Sequence, residues 1–97
     1  VYGGDKRGQK IQKAAVCPGA GGGTLKQALA CGAQVYITGD ISHHTGIDAA
    51  AEGLIVIDAG HFGVEQIFMD FIKEFLEREI PGLEAVKSAQ GLPNCVI

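Results

Sequence analysis

Ile55-Val56-Ile57-Asp58-Ala59-Gly60-His61-Phe62-Gly63-Val64-Glu65 is the stretch from which the fold can be read. A partly β-branched apolar run, from Leu54 to Ile57, ends in Asp58-Ala59-Gly60. His61 and Glu65 then stand four apart at the mouth of an amphipathic segment. Strand, glycine turn, polar pair and helix is the order in which open α/β proteins build sites beyond the carboxyl ends of their strands. Residues four apart share one helix face, one turn from each other. That face offers an imidazole nitrogen and a carboxylate, which suit zinc, iron or manganese. Two ligands fall short of the three that even catalytic zinc usually has. The competing reading is a plain helix start, with Glu65 at the positive end of the dipole and His61 as a turn residue.

Downstream, Val64, Ile67, Phe68, Phe71, Ile72, Phe75 and Leu76 form one apolar stripe, predicting a helix from about Phe62 to Ile80. Gln66, Asp70, Lys73, Glu74, Glu77 and Arg78 face away from it. Pro81-Gly82 ends the helix. Leu83 to Ser88 reads as a fourth strand at a sheet edge. Gly91-Leu92-Pro93-Asn94 breaks the chain again, and the tail Cys95-Val96-Ile97 is too short to assign.

Upstream, Val35-Tyr36-Ile37-Thr38 is a strand closed by Gly39-Asp40. Ile47, Ala50 and Ala51 keep helical spacing between it and Leu54, with Gly53 as the stop. Ile11 to Cys17 is the first strand, and Pro18-Gly19-Ala20-Gly21-Gly22-Gly23 is read as irregular. Thr24 is the expected N-cap of a short helix carrying Leu25, Ala28 and Leu29, which Gly32 ends. Residues 1–10 read as an exposed loop or linker, and a chain opening on Val-Tyr-Gly-Gly looks cut from something longer. The alternation is β-α-β-α-β-α-β: an α/β fold with a mainly parallel sheet, one domain over residues 11–97 and part of a larger two-part protein.

The bulk properties remove several functions. Among 97 residues, 46% are hydrophobic and 20% charged, an ordinary globular composition. A net charge of −3 gives no basic footprint for nucleic acid or an anionic membrane. No apolar run approaches the ~20 residues that span a bilayer, and no basic-then-apolar leader is visible. Cys17, Cys31 and Cys95 match no zinc or redox spacing, so reduced thiols in a cytoplasmic protein are expected.

Two more segments can carry chemistry. Backbone N–H groups of the glycine loop, at Gly19, Gly21 and Gly22, can hold a phosphate or carboxylate beside a helix start. A tight turn with close helix packing explains the same residues, and the loop lacks the Lys-Ser/Thr of a P-loop. In Thr38-Gly39-Asp40-Ile41-Ser42-His43-His44-Thr45, Asp40 sits at a strand end and can face the same crevice as Asp58 and His61. His43 and His44 read either as site residues at a helix entry or as surface and capping histidines. Cys17, beside the glycine loop, reads as a small buried residue.

Taken together, Ala15-Val16-Cys17-Pro18-Gly19-Ala20-Gly21-Gly22, then Val35 to Ile41 with His44, then Ile57-Asp58-Ala59-Gly60-His61 through Glu65, resemble the GTP cyclohydrolase I type 2 homologues, the Nif-three-like dinuclear-metal-centre family. The three segments occur in the family's order, and the match is to its carboxyl-terminal part. The resemblance implies a ring-shaped hexamer of paired trimers and a site with two divalent ions, zinc, iron or manganese. It makes His61 and Glu65 metal ligands and takes the other ligands from the missing amino-terminal part. It places Asp40, His44 and Asp58 around the metals, orienting water or moving protons, and the glycine loop near a nucleotide or phosphorylated ligand. Thr45 departs from the acid many members carry there. The implied activity is metal-dependent hydrolysis in the intact protein, with this chain alone binding metal weakly or not at all. The alternative is a non-catalytic metal-binding or regulatory protein acting through partners.

Overall fold

The structure is a computed structural model, and it describes residues 1–6 and 8–89. Its elements are β1 (Ala14–Ala20), α1 (Leu25–Ala30), β2 (Val35–Gly39), α2 (His43–Ala51), β3 (Ile55–Asp58) and α3 (Gly60–Glu79), with short 3-10 turns at Gly4–Lys6 and Gly21–Thr24. The chain gathers into two compact units, one over Val1–Val64 and one beginning at Glu65.

The first unit is an open parallel sheet in the order β1-β2-β3. Its register sets Ala15 beside Tyr36 and Tyr36 beside Val56. Successive strand side chains alternate faces. Tyr36, Thr38 and Val56 therefore share one face, where they are fully buried. Leu25 and Ala28 of α1 and Ala49 of α2 close the core on that side, with Leu54 beneath. On the opposite face Val35, Ile37, Ile55 and Ile57 are only half-buried and Val16 is exposed. The α/β class and the parallel sheet follow the sequence expectation. Gly32 and Gly53 end α1 and α2 with positive φ, +77° and +97°, as the sequence expects of glycine stops.

Several boundaries differ, each for a physical reason. β1 runs on through Pro18 and Gly19 to Ala20. Cys17 pairs with Thr38 and Ala20 with Gly39, so Pro18 and Gly19 sit in a bulge. Proline's missing N–H costs no ladder bond there, on the edge strand of the sheet. Residues 1–10 are not all loop. Tyr2 exchanges backbone hydrogen bonds with Val56 at 2.8 and 3.1 Å. A Cβ on Gly46 would fall 2.5 Å from the Tyr2 ring, so glycine lets that ring lie on α2. Thr24 precedes α1 without capping it; its hydroxyl turns to Tyr36 instead. The side-chain cap that does form is Ser42, which accepts the Thr45 N–H at 3.2 Å to start α2.

The second unit holds most of α3. The apolar stripe predicted for this helix is present, but none of the helix is buried. Ile67 is 74% exposed and Phe71 64%. Phe71 and Phe75 stack at 6.3 Å, and Arg78 lies over the Phe75 ring. The fourth strand expected over Leu83 to Ser88 does not form. That segment is tied back to the polar face of its own helix: Glu77 accepts the Ala85 N–H at 3.1 Å, Lys73 donates to the Ala85 carbonyl, and Lys87 pairs with Asp70. Both backbone groups of Ala85 are thus partnered by α3 side chains rather than by a neighbouring strand. The breaker Gly91 to Asn94 and the tail Cys95 to Ile97 lie outside the described residues.

Candidate functional site

The polar site of the first unit forms where β2 and β3 end side by side. Their last paired residues are Thr38 and Asp58, so Asp40, Asp58 and His61 are delivered to one edge by register alone. Asp40 takes a left-handed backbone, φ +49°, which an aspartate adopts more readily than most residues. Asp58 holds the turn in place. One carboxylate oxygen, Oδ1, accepts the N–H groups of Asp40 and Gly60, each at 3.0 Å, and Oδ2 accepts the N–H of Ile41 at 3.1 Å. Burial pushes the Asp58 carboxyl up, but the N–H groups of Gly60, Ile41 and Asp40 outweigh it and hold the group below the ordinary carboxylate value. Both Asp58 oxygens thus serve the backbone that shapes the site.

The backbones at the two strand ends nearly touch. A Cβ on Gly39 would lie 2.7 Å from the Gly60 carbonyl carbon and 2.8 Å from the His61 nitrogen. Only glycine permits this approach. It sets the first residues of α3 against the end of β2, where the Asp40 carboxylate meets Nδ1 of His61. Both side chains are substantially solvent-accessible. A carboxylate on one ring nitrogen fixes a histidine's orientation and makes Nε2 the nitrogen for coordination. A carboxylate partner of this kind is typical of metal-binding histidines. Among the described residues, however, no cluster of three or more His, Cys, Asp or Glu is placed to hold a metal ion. The donor set fits part of a metal site.

The other residues singled out in the sequence are placed differently. Glu65 lies on α3, four residues beyond His61, in the second unit. His44 is exposed on the first turn of α2, edge-on to His43 at 6.1 Å, and Tyr2 lies 6.0 Å beyond His43. In the glycine loop, the Gly21 N–H donates to Thr38 Oγ1 at 2.9 Å, and Thr38 donates to the Gly19 carbonyl at 3.0 Å. The Gly21 carbonyl accepts from Tyr36 at 2.8 Å and from Thr24 at 3.0 Å. The N–H of Gly21 is therefore partnered within the protein, while the Cβ direction of Gly22 opens on empty space.

Tyr36 and Thr38 are the residues that sequence reading missed. Each was legible only as an alternating strand residue. Their hydroxyls tie β2 to the loop after β1, which becomes visible only once the register is known.

An open parallel sheet with its polar residues gathered beyond the strand ends defines the class, an α/β protein with its site at the carboxyl edge. The chain belongs to the DUF34/NIF3 (NGG1p interacting factor 3) family, whose model matches residues 1–91. It is 46% identical over 68 residues to a GTP cyclohydrolase 1 type 2 homolog of Streptococcus pneumoniae, covering 70% of this chain and 25% of that protein. A homolog of the same description from Lactococcus lactis is 38% identical over 82 residues, covering 84% and 32%. A Staphylococcus aureus hypothetical protein of known crystal structure superposes with a TM-score of 0.79 at 32% identity, covering 92% of this chain and 31% of that one. A Bacillus cereus protein related to NIF3 superposes with a TM-score of 0.70 at 29% identity, covering 92% and 26%. The chain thus spans about a quarter to a third of the length of these relatives. Among the described residues no helix is long and apolar enough to cross a membrane.

Proposed function

We propose that this chain supplies one wall of a two-metal site that, in the whole protein, hydrolyses a nucleotide or another phosphorylated substrate. The observation that carries this reading is the Asp40 carboxylate on Nδ1 of His61. A solvent-facing histidine held by a carboxylate at the mouth of a parallel sheet is what a metal ligand needs and a plain helix start does not. His61 would bind through Nε2, and Glu65, one turn further along α3, is the second ligand in this reading. Two divalent ions, zinc, iron or manganese, would supply Lewis acidity and an acidified water. Asp40 keeps the Nδ1 proton and the ring orientation. Asp58 holds the Asp40 and Gly60 backbone in register. His44, exposed at the start of α2, is the candidate proton carrier, and the loop of Gly19, Gly21 and Gly22 the candidate anion contact, with Gly22 its open member. The remaining ligands would come from the amino-terminal part of the protein.

The GTP cyclohydrolase name of the relatives is the source of the nucleotide in this proposal. A longer protein that includes the amino-terminal part should turn over GTP or a nucleotide phosphoester only with divalent metal, and His61→Ala should abolish turnover. Metal-independent turnover, or turnover unchanged in His61→Ala, would contradict the proposal.

The exposed stripe of Ile67, Phe68 and Phe71 favours a second reading, a metal-binding or regulatory assembly working through partners. Those partners would be the rest of the same protein and further copies of it, in a homo-oligomer such as a hexamer. Stoichiometric metal with no turnover across a broad panel of nucleotides and phosphoesters would support that reading over catalysis.

A further inference from the structure

The edge of β3 that faces away from β2 carries a single rung of a further pairing. Tyr2 and Val56 exchange backbone hydrogen bonds there in the antiparallel sense. The chain around Tyr2 shows which way such a ladder can grow. Downstream it is stopped. Gly3 turns left-handed at φ +72°, Gly4–Lys6 coils into a 3-10 turn, and the Lys6 N–H closes on the Gly3 carbonyl at 3.1 Å. Only the upstream direction can extend it.

The side chains at this end alternate as those of a strand do. The Tyr2 ring lies on α2 at Gly46 and 6.0 Å from the His43 ring. Val1 instead lines a cavity with Ile55 and Ile57, on the opposite face of the sheet. Antiparallel register then fixes the next partners. With Tyr2 opposite Val56, Val1 falls opposite Ile57 and the residue immediately upstream of Val1 opposite Asp58. Asp58 turns its backbone to that edge. Its neighbour Ala59 donates the other way, to the Thr38 carbonyl of β2 at 2.8 Å, and pairing directions alternate along a strand.

We propose that the stretch directly upstream of Val1 in the whole protein adds a further antiparallel strand to the β3 edge. It thereby enters the site at the strand ends where Asp40, Asp58 and His61 meet. This chain spans about a quarter to a third of its relatives' length, so the occupant is the same polypeptide. Main-chain hydrogen bonds hold it, as in strand addition to any open sheet edge. The pairing stands on register; its use, carrying the remaining ligands to the metals, rests on the two-metal reading above.

The test is residue-resolved backbone amide exchange in the amino-terminally extended protein and in the 97-residue chain. The Asp58 amide should exchange at least about tenfold more slowly in the longer protein, while Val56, paired with Tyr2 in both, should exchange alike. Proline in place of the residue immediately upstream of Val1 removes the N–H that bonds the Asp58 carbonyl. It should return Asp58 to the rate of the short chain, and alanine at the same place should keep it slow. If the proline variant does not fold, the comparison of the two wild-type chains still decides. Asp58 exchanging equally fast in both chains, or staying slow in a folded proline variant because something other than a strand covers the edge, would overturn the proposal. Neither readout needs bound metal or turnover, so failure of the metal reading would leave both results unchanged.

Discussion

Asp40, on a left-handed backbone turn at the end of β2, carries its carboxylate to Nδ1 of His61 at the start of α3. Twenty-one residues separate the two in sequence. Three features bring them together: the parallel register of β2 and β3, the close backbone approach of Gly39 to Gly60, and the Asp58 carboxylate bridging the N–H groups of Asp40, Ile41 and Gly60. The last two can be removed separately, and each removal has its own signature.

Asp40→Asn should weaken metal binding in the amino-terminally extended protein by about 10- to 100-fold, the usual cost of losing an outer partner of a ligand histidine. Because Asp40 is exposed, stability should change by no more than about 0.5 kcal/mol. Paired metal titration and denaturant melts check both halves. A loss of metal accompanied by a large loss of stability would make Asp40 a structural residue instead.

Asp58→Asn should destabilise the fold by about 1–3 kcal/mol near neutral pH, since charged acceptors make the stronger hydrogen bonds. The pH dependence has a definite sign. The folded-state carboxyl is held below its ordinary value, so its contribution is complete above the unfolded value, about 3.9. It is lost as pH falls through the lowered folded value. The gap in melting temperature between wild type and Asp58→Asn should therefore be constant from pH 7 to about 5 and close on further acidification. A gap that widens in acid would contradict the account.

Gly39→Ala should cost about 1–3 kcal/mol, the range for forcing a methyl group into packed structure. The atoms it would meet belong to the backbone of Gly60 and His61, which cannot rotate aside. Gly22→Ala, where the same methyl meets open space, is the matched control and should change stability little. Urea unfolding of the two variants makes the comparison.

Thr38→Val keeps the shape of a fully buried side chain and removes its hydroxyl. The buried Gly21 N–H then loses its acceptor and the Gly19 carbonyl its donor. An unsatisfied buried group costs about 1–3 kcal/mol, so thermal melts should show a loss of at least that size. Thr38→Ser, which retains the hydroxyl, should recover most of it.

Much of the first unit was legible from the sequence because its signals are local. The β-branched runs, the glycine stops and the apolar spacing each act within a few residues, and they placed three strands and three helices. Errors arose where a partner decides the conformation. Pro18-Gly19 looks like a turn, yet a bulge on an edge strand accommodates it. Leu83 to Ser88 has strand composition, yet Glu77, Lys73 and Asp70 bind it to α3. The apolar face of α3 is legible in the sequence, but periodicity records only that a face is apolar, not what covers it. At the site, the strand-end acids could be proposed from position. That Asp58 serves the backbone while Asp40 serves His61 depends on geometry across β2 and β3, which composition does not encode.

Elemental analysis of the amino-terminally extended protein, wild type against His61→Ala, tests the central claim most directly. The account predicts two divalent ions per wild-type chain and a clear loss in His61→Ala, with little or none bound by the 97-residue chain alone, since two ligands fall short of a tight site. Metal retained in full by His61→Ala, or two ions held tightly by the short chain, would contradict it.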